Sequence, residues 1–342
     1  MFNLHNRRYV GSKYKLLNWI KDLVEENCKG SSLFDVFAGT GIVTSAFIDK
    51  FNEYYINDFL PSNYIIYNGF FLQENYSESK VNTIIEGYNN KSTLNLKENY
   101  VSQNFGNKFF SMNDSRLIGY IREDIENKYN NKEVNEKEYY ILISSLLYSI
   151  DRIANTVGHY DAYIKNHQIT DSLTIEPIMP IKLNERQSIK IFKEDANELV
   201  KKITSDIAFI DPPYNSRQYS RFYHVLDNIA QWKKPQLYGV AMKPLEENMS
   251  DYCRVSAPIK FKELIDSLDA KYIVVTYNNT YNSKSSSSRN KITLEEITDI
   301  LRNKGKTEIF EKSHQFFNAG KTDFKDHMEF LFITRSDAVG KK

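Results

Sequence analysis

The 342-residue chain is 41% hydrophobic, enough for a sizeable core and too much for wholesale disorder, and its formal net charge of +1 neither demands nor excludes a nucleic-acid partner. An apolar run of about 18 residues and a charged-then-apolar leader are both missing, so neither a membrane span nor a secretory signal is expected. Cys28 and Cys253 stand far apart without paired spacing, which fits a reducing, cytoplasmic setting and argues against a disulfide framework or a cysteine zinc site.

In chain order, residues 14–27 place Leu16, Leu17, Ile20, Leu23 and Val24 at helical spacing. Leu33–Phe37 is a short apolar run ending in glycines and reads as a buried strand. Gly41–Phe51 returns to helical spacing, and Glu53–Asn57 is strand-like again. Strand, glycine turn, helix and strand form the opening βαβ unit of a doubly wound α/β sheet of Rossmann type. From 61 to 183 the sequence turns polar, with at least two candidate helices, the clearer at Glu136–Asn155. So long a stretch predicts an inserted, mainly helical subdomain between segments 1–60 and 184–342 of the α/β domain.

The α/β rhythm then resumes. Strands are predicted at Ser188–Phe192, Asp206–Ile210 and Lys271–Thr276. Helices are predicted at Ala196–Lys201, Phe222–Trp232, Phe261–Leu268 and Leu294–Asn303. Thr307–Phe310 and Met328–Thr334 read as a terminal antiparallel hairpin, and Lys284–Asn290 as a mobile loop.

Three motifs carry chemistry. The first, DVFAGTG, runs from Asp35 to Gly41 between a strand and a helix. Glycines there let the backbone turn sharply and approach a ligand closely. The string lacks the GxGxxG spacing and the Walker lysine, which disfavours a pyrophosphate cradle. Read alone, it is also compatible with a tight turn that binds nothing. The second is Asp58, at the end of the next strand, placed to accept hydrogen bonds from both ribose hydroxyls of a nucleoside cofactor; a helix cap or a surface acid is the plainer reading. The third is Asp211-Pro212-Pro213-Tyr214, directly after an apolar strand. Two prolines cannot continue a sheet ladder and fix an extended turn. Such a turn offers a carboxylate, backbone carbonyls and an aromatic wall at one point, a set suited to the exocyclic amine of a planar base.

DPPY paired with an earlier FAGTG resembles the Dam-like amino-methyltransferases in their alpha-group order, the site-specific adenine-N6 DNA methyltransferases of restriction-modification systems. The resemblance implies a Rossmann-like fold using S-adenosylmethionine, with residues 61–183 as the target-recognition domain. Tyr9-Val-Gly-Ser-Lys13 is similar to the family's aromatic-x-G-x-K element, which implies that Lys13 binds the cofactor carboxylate and that Tyr9 packs beside it. Asp35, Phe37, Gly39, Gly41 and Asp58 would complete the cofactor site, with Asp195 near the adenine. Asp211, Pro212, Pro213 and Tyr214 would be catalytic, acting on a base flipped out of the duplex. Arg217 and Tyr219, just beyond, would hold the flipped nucleotide, or simply pack a helix entry. Arg152, Asn155, His159 and Lys165 carry groups that phosphates and base edges need, although their segment is equally suited to docking the insertion.

The partners expected are double-stranded DNA and a separately acting restriction endonuclease. No membrane partner is expected, and the six histidines show no metal-ligand spacing. Cytosine N4 chemistry, for which Ser more often opens the motif, an RNA adenine substrate, and a silent DNA-binding module stand as alternatives. A protein-glutamine methyltransferase would more often carry Asn where Asp211 stands.

Overall fold

The structure is a computed structural model in which residues 1–279, 289–313 and 328–337 are described. Its elements in order are α1 (Leu17–Asn27), β1 (Ser32–Asp35), α2 (Ile42–Ala46), β2 (Glu53–Asn57), α3 (Pro61–Phe71), α4 (Glu78–Asn89), α5 (Tyr100–Phe105), α6 (Met112–Asn130) and α7 (Glu136–Ile153). There follow β3 (Ser188–Phe192), α8 (Ala196–Leu199), β4 (Thr204–Ile210), α9 (Tyr219–Phe222), α10 (His224–Gln231), α11 (Ala257–Ser267), β5 (Asp269–Asn278), α12 (Leu294–Lys304), β6 (Gly305–Ser313) and β7 (Met328–Ser336). The loop expected at Lys284–Asn290 lies outside the described residues except for Arg289 and Asn290.

The chain divides into two compact units, each built from three segments. A sheet unit comprises Ser12–Phe59, Glu185–Tyr219 and Asn248–Lys342. A helical unit comprises Met1–Gly11, Leu60–Asn184 and Ser220–Glu247. The stretch read as one insertion, 61–183, thus falls in a unit that also takes in an N-terminal arm and a third segment that begins within α9.

The sheet unit holds one seven-stranded sheet in the order β3-β2-β1-β4-β5-β7-β6. The strands from β3 to β5 are parallel, β7 runs antiparallel to β5, and β6 runs antiparallel to β7. This is the doubly wound α/β fold expected. Alternation along the strands sorts the core. Phe34, Ala208, Ile210, Ile273 and Val275 join residues of α8, α11 and α12 in one apolar layer. On β7, Phe330 to Ile333 are buried without a break, as they must be on a strand paired along both edges and covered on both faces. The terminal hairpin therefore exists, but its second strand is an interior strand of the sheet, not an appendage.

Strand order reverses between β1 and β4, since β1 leads to β2 on one side and β4 to β5 on the other. The carboxyl ends of these strands carry Asp35, Asn57 and Ile210, the edge where doubly wound sheets take ligands.

The helical unit packs α3 against α7. A capping box at Asn135 and Glu138 starts α7, and its apolar stripe from Ile141 to Ile150 is buried. Buried Lys137 donates from Nζ to the carbonyls of Asn68 and Gly69, at 3.1 and 2.7 Å, closing the end of α3; burial pushes its ammonium down to about 7. Arg122 is fully buried and donates to the carbonyls of Ile229 and Ala230 and to Glu126, which pins α6 to the end of α10. Trp232, in the left-handed region at φ 56°, stops that helix at the expected residue.

Candidate active site

Four loops of the sheet unit meet the carboxyl edge of its sheet. In the first, FAGTG turns between β1 and α2. Gly39 and Gly41 have φ of 54° and 74°, left-handed conformations that a side chain disfavours. The turn is fixed from two sides. Ala38 N donates to the Asn57 carbonyl at 2.9 Å, and Gly39 N donates to Asp58 Oδ2 at 2.9 Å. Asp58 thus sits at the end of β2 with one oxygen bracing the glycine turn.

Asp35 lies beneath that turn, 1% exposed. Its Oδ2 accepts from the Thr44 hydroxyl at 2.8 Å and from Thr44 N at 3.3 Å, tying β1 to α2. Burial pushes its carboxyl up to about 7, against the two Thr44 hydrogen bonds and with help from the charges of Asp211 and Asp58. Phe37 extends from the turn and meets Tyr252 edge to face at 5.1 Å. The Tyr252 hydroxyl donates to Asn197 Oδ1 at 2.7 Å, and Asp195 caps the same helix by accepting from Asn197 N and Glu198 N at 2.9 and 3.2 Å. Exposed Asp195, Phe37 and Tyr252 thereby share one neighbourhood with α8. A turn with two glycines, an acid at the end of β2 and an aromatic edge form a set that fits a nucleoside: acceptors for a diol and flat apolar surface for a ring.

DPPY leaves β4 at the same edge. Asp211 Oδ2 pairs with Lys13 Nζ at 2.7 Å, and Asp211 Oδ1 accepts from Thr276 Oγ1 at 2.6 Å. The Lys13 and Asp211 side chains are only 13% and 19% exposed, so water screens the pair incompletely. Burial disfavours the Lys13 ammonium, but Asp211 and then Glu329 outweigh it and the pKa is raised. Pro212 is buried and Pro213 half-buried. Tyr214 is buried, with its hydroxyl donating to the Thr276 carbonyl and its ring edge-on to Tyr277 at 5.0 Å. Burial, reinforced by Asp211, raises the Tyr214 phenol well above its ordinary value, so it stays a protonated donor near neutrality. Lys291 N donates to the Tyr214 carbonyl at 2.6 Å. The arrangement presents one clamped carboxylate at the strand reversal, beside a turn able to approach a cofactor.

Residues 9–281 match the profile of the family described as D12 class N6 adenine-specific DNA methyltransferase, a span that includes FAGTG, Asp58, Asp195 and DPPY. The chain belongs to this family. To the modification methylase StsI of Streptococcus sanguinis, the chain is 34% identical over 313 residues, 86% of the chain and 46% of that protein. It is 30% identical over 345 residues to the type II methyltransferase M.NlaIII of Neisseria lactamica, 95% of the chain and 98% of that protein. With M.FokI of Planomicrobium okeanokoites it shares 30% over 351 residues, 96% of the chain and 53% of that protein. The chain therefore spans about half the length of the StsI and FokI proteins and nearly all of the NlaIII protein. The family resemblance drawn from the two motifs is borne out.

The other expected site residues lie as follows. In the sheet unit, Arg217 and Tyr219 are half-buried; Arg217 N donates to Asn215 Oδ1 at 3.0 Å, and the Arg217 carbonyl accepts from Cys253 Sγ at 3.3 Å. Tyr9 belongs to the helical unit, where its ring stacks on Tyr223 at 4.8 Å, with Arg7 over both rings. In that unit Arg152 pairs with Glu176 and lies over Phe2. Asn155 is buried and donates to the carbonyls of Lys108 and Ile164, both at 2.9 Å. His159 stacks on Phe222 at 4.4 Å, and Lys165 is exposed. Asn155 therefore shapes its loop from within, whereas Lys165 faces solvent.

Sequence reasoning missed Thr276, Tyr252 and Asn57. Thr276 was signalled only as the polar end of the KYIVVT run. Asn57, which donates to the Val36 and Glu194 carbonyls at 3.1 and 3.2 Å, looks like any strand-end asparagine. For Tyr252, no local pattern marks it as the partner of Phe37.

Proposed function

We propose that this D12-family chain transfers a methyl group from S-adenosylmethionine to the N6 amine of adenine in duplex DNA, as the modification enzyme of a restriction-modification system. The observation that carries the reading is the clamped Asp211 carboxylate, at the strand reversal and beside the FAGTG turn. Family membership supports adenine N6 as the acceptor, and the relatives' names as modification methylases support the biological setting.

Asp58 would hold the ribose hydroxyls, Phe37 and Tyr252 would flank the adenine of the cofactor with Asp195 nearby, Gly39 and Gly41 would allow close approach, and Lys13, while paired with Asp211, would turn another of its N–H groups to the cofactor carboxylate. Asp35 would act on this site through the turn it secures. The cofactor supplies a methyl group on a sulfonium, already a strong electrophile. The chain's task is then to orient the other reactant. An aromatic amine is a weak nucleophile because its lone pair is delocalised into the ring. Hydrogen bonds from N6 to Asp211 and the Pro212 carbonyl would favour a tetrahedral nitrogen with its lone pair free. Asp211 would also stabilise the positive charge that develops there, until one N6 proton passes to the Asp211 carboxylate or to water. Pro213 would keep the turn extended, and Tyr214 would wall the pocket that receives a flipped base, at a few kcal/mol of unstacking.

Residues 61–183 would read the DNA, with Arg152, His159 and Lys165 contacting it and Asn155 shaping their loop. Arg217 and Tyr219 would hold the extruded nucleotide. Among the described residues no helix is long and apolar enough to cross a membrane, and we place the enzyme in the cytoplasm beside a separately acting endonuclease. The test is expression in a methylation-deficient host, followed by sequencing that detects modified bases. N6-methyladenine at one sequence is expected, and N4-methylcytosine alone would overturn the reading.

A further inference from the structure

Thr276 stands at both ends of the DPPY motif. In the parallel pair of β4 and β5, Ile210 is opposite Val275, so Asp211, just past the end of β4, and Thr276, still within β5, lie at the same level. The Thr276 hydroxyl donates to Asp211 Oδ1 at 2.6 Å, and the Thr276 carbonyl accepts from the Tyr214 hydroxyl. The residue is 2% exposed and sits on an interior strand, with Leu331 of β7 opposite on its other side. Its backbone therefore cannot drift. A hydroxyl so deeply buried is disfavoured unless it is hydrogen-bonded, and here its proton goes to a carboxylate. Valine would suit the apolar run IVV and the strand geometry equally well, so packing alone does not call for the hydroxyl.

We infer that Thr276 is a positioning residue for methyl transfer: it fixes the rotation of the Asp211 carboxylate through its side chain and the depth of Tyr214 through its carbonyl. With Lys13 on Oδ2 and Thr276 on Oδ1, the carboxylate plane is held at two points. With Lys13 alone, it turns about its Cβ–Cγ bond and loses its aim at N6. The inference rests on the proposed adenine-N6 activity for its kinetic consequence, but the hydrogen bond itself is testable without turnover.

Thr276→Val keeps shape and backbone and removes only the hydroxyl, whereas Thr276→Ser keeps the hydroxyl and removes the methyl group. In steady-state methylation of duplex DNA, Thr276→Val should lower kcat by about 10- to 100-fold, the range expected for losing a hydrogen bond to a charged group at a reacting centre. KM for DNA and calorimetric affinity for S-adenosylmethionine should stay within about 2-fold, and Thr276→Ser should recover most of kcat. A Thr276→Val enzyme at wild-type kcat, or a serine variant as slow as the valine one, overturns the inference. Urea unfolding of wild type, Thr276→Val, Asp211→Ala and the double variant supplies the second arm. Non-additive midpoints support the bond, and additive ones refute it even in protein that shows no turnover. A wild-type protein that methylates nothing would instead refute the proposed function, leaving the unfolding cycle to decide the role of Thr276.

Discussion

Replacing Asp35 by asparagine should change how stability depends on pH more than how stable the protein is at any one pH. The Asp35 carboxyl, buried under the glycine turn, titrates at about 7 in place of 3.8. At 1.36 kcal/mol per tenfold, that displacement corresponds to roughly 4 kcal/mol. Because the folded value is raised, between about pH 4 and 7 the folded protein keeps a proton that the unfolded chain has released. Stability is therefore lost as pH rises through that window and stays low above it. Roughly 2.5 kcal/mol of the loss should fall between pH 5 and 8. In Asp35→Asn the amide oxygen still accepts from Thr44, and no charge forms. The buried NH2 adds a cost of its own, but that cost does not vary with pH. The measurement is urea unfolding of both proteins from pH 5 to 8. The variant should gain on the wild type as pH rises, by roughly the amount above. A constant difference across the range, or one that shrinks, would refute the claim that Asp35 is held as a buried, proton-retaining acid.

Asp211→Ala should abolish methylation, by at least about 1,000-fold in kcat, while calorimetry shows affinity for S-adenosylmethionine largely retained; normal turnover would be fatal to the mechanism. Asp58→Ala removes both the proposed ribose acceptor and the anchor of Gly39 N, so the cofactor dissociation constant should rise by about 10- to 100-fold, read by the same titration. Arg122→Leu leaves two buried backbone carbonyls without their donor in the helical unit, while the Glu126 carboxylate, 33% exposed, keeps the Tyr139 hydroxyl. It should cost about 2–4 kcal/mol in urea unfolding, from unsatisfied carbonyls at about 1–3 kcal/mol each, and a loss below about 1 kcal/mol would show that the arginine is dispensable there.

The parts of this protein that could be read from sequence are those where chemistry leaves a local mark. Glycines at 39 and 41 announce a left-handed turn because other residues rarely take it, and two prolines after an apolar run announce the end of a strand. Helical spacing and a capping asparagine similarly mark α7. What escaped was set by pairings between distant segments. Nothing near Thr276 says that β5 lies beside β4 in the register that carries its hydroxyl to Asp211. Nor does β7 advertise its interior place, except by an apolar run on both faces that also suits an ordinary hairpin. Tyr9 makes the same point: its neighbourhood in sequence gives no sign of the stack its ring makes on Tyr223, more than two hundred residues away.

The threading of the two units has a practical meaning for anyone who wishes to alter the DNA recognition proposed for this chain. The chain passes between them at Gly11–Ser12, Phe59–Leu60, Asn184–Glu185, Tyr219–Ser220 and Glu247–Asn248. A graft that exchanged residues 60–184 alone would leave behind the host's Tyr9–Tyr223 stack and the carbonyls of Ile229 and Ala230 that Arg122 binds. A donor's helices would arrive without the partners that shaped them. New specificity is thus more readily obtained by altering exposed side chains in place, or by moving all three pieces of the helical unit together.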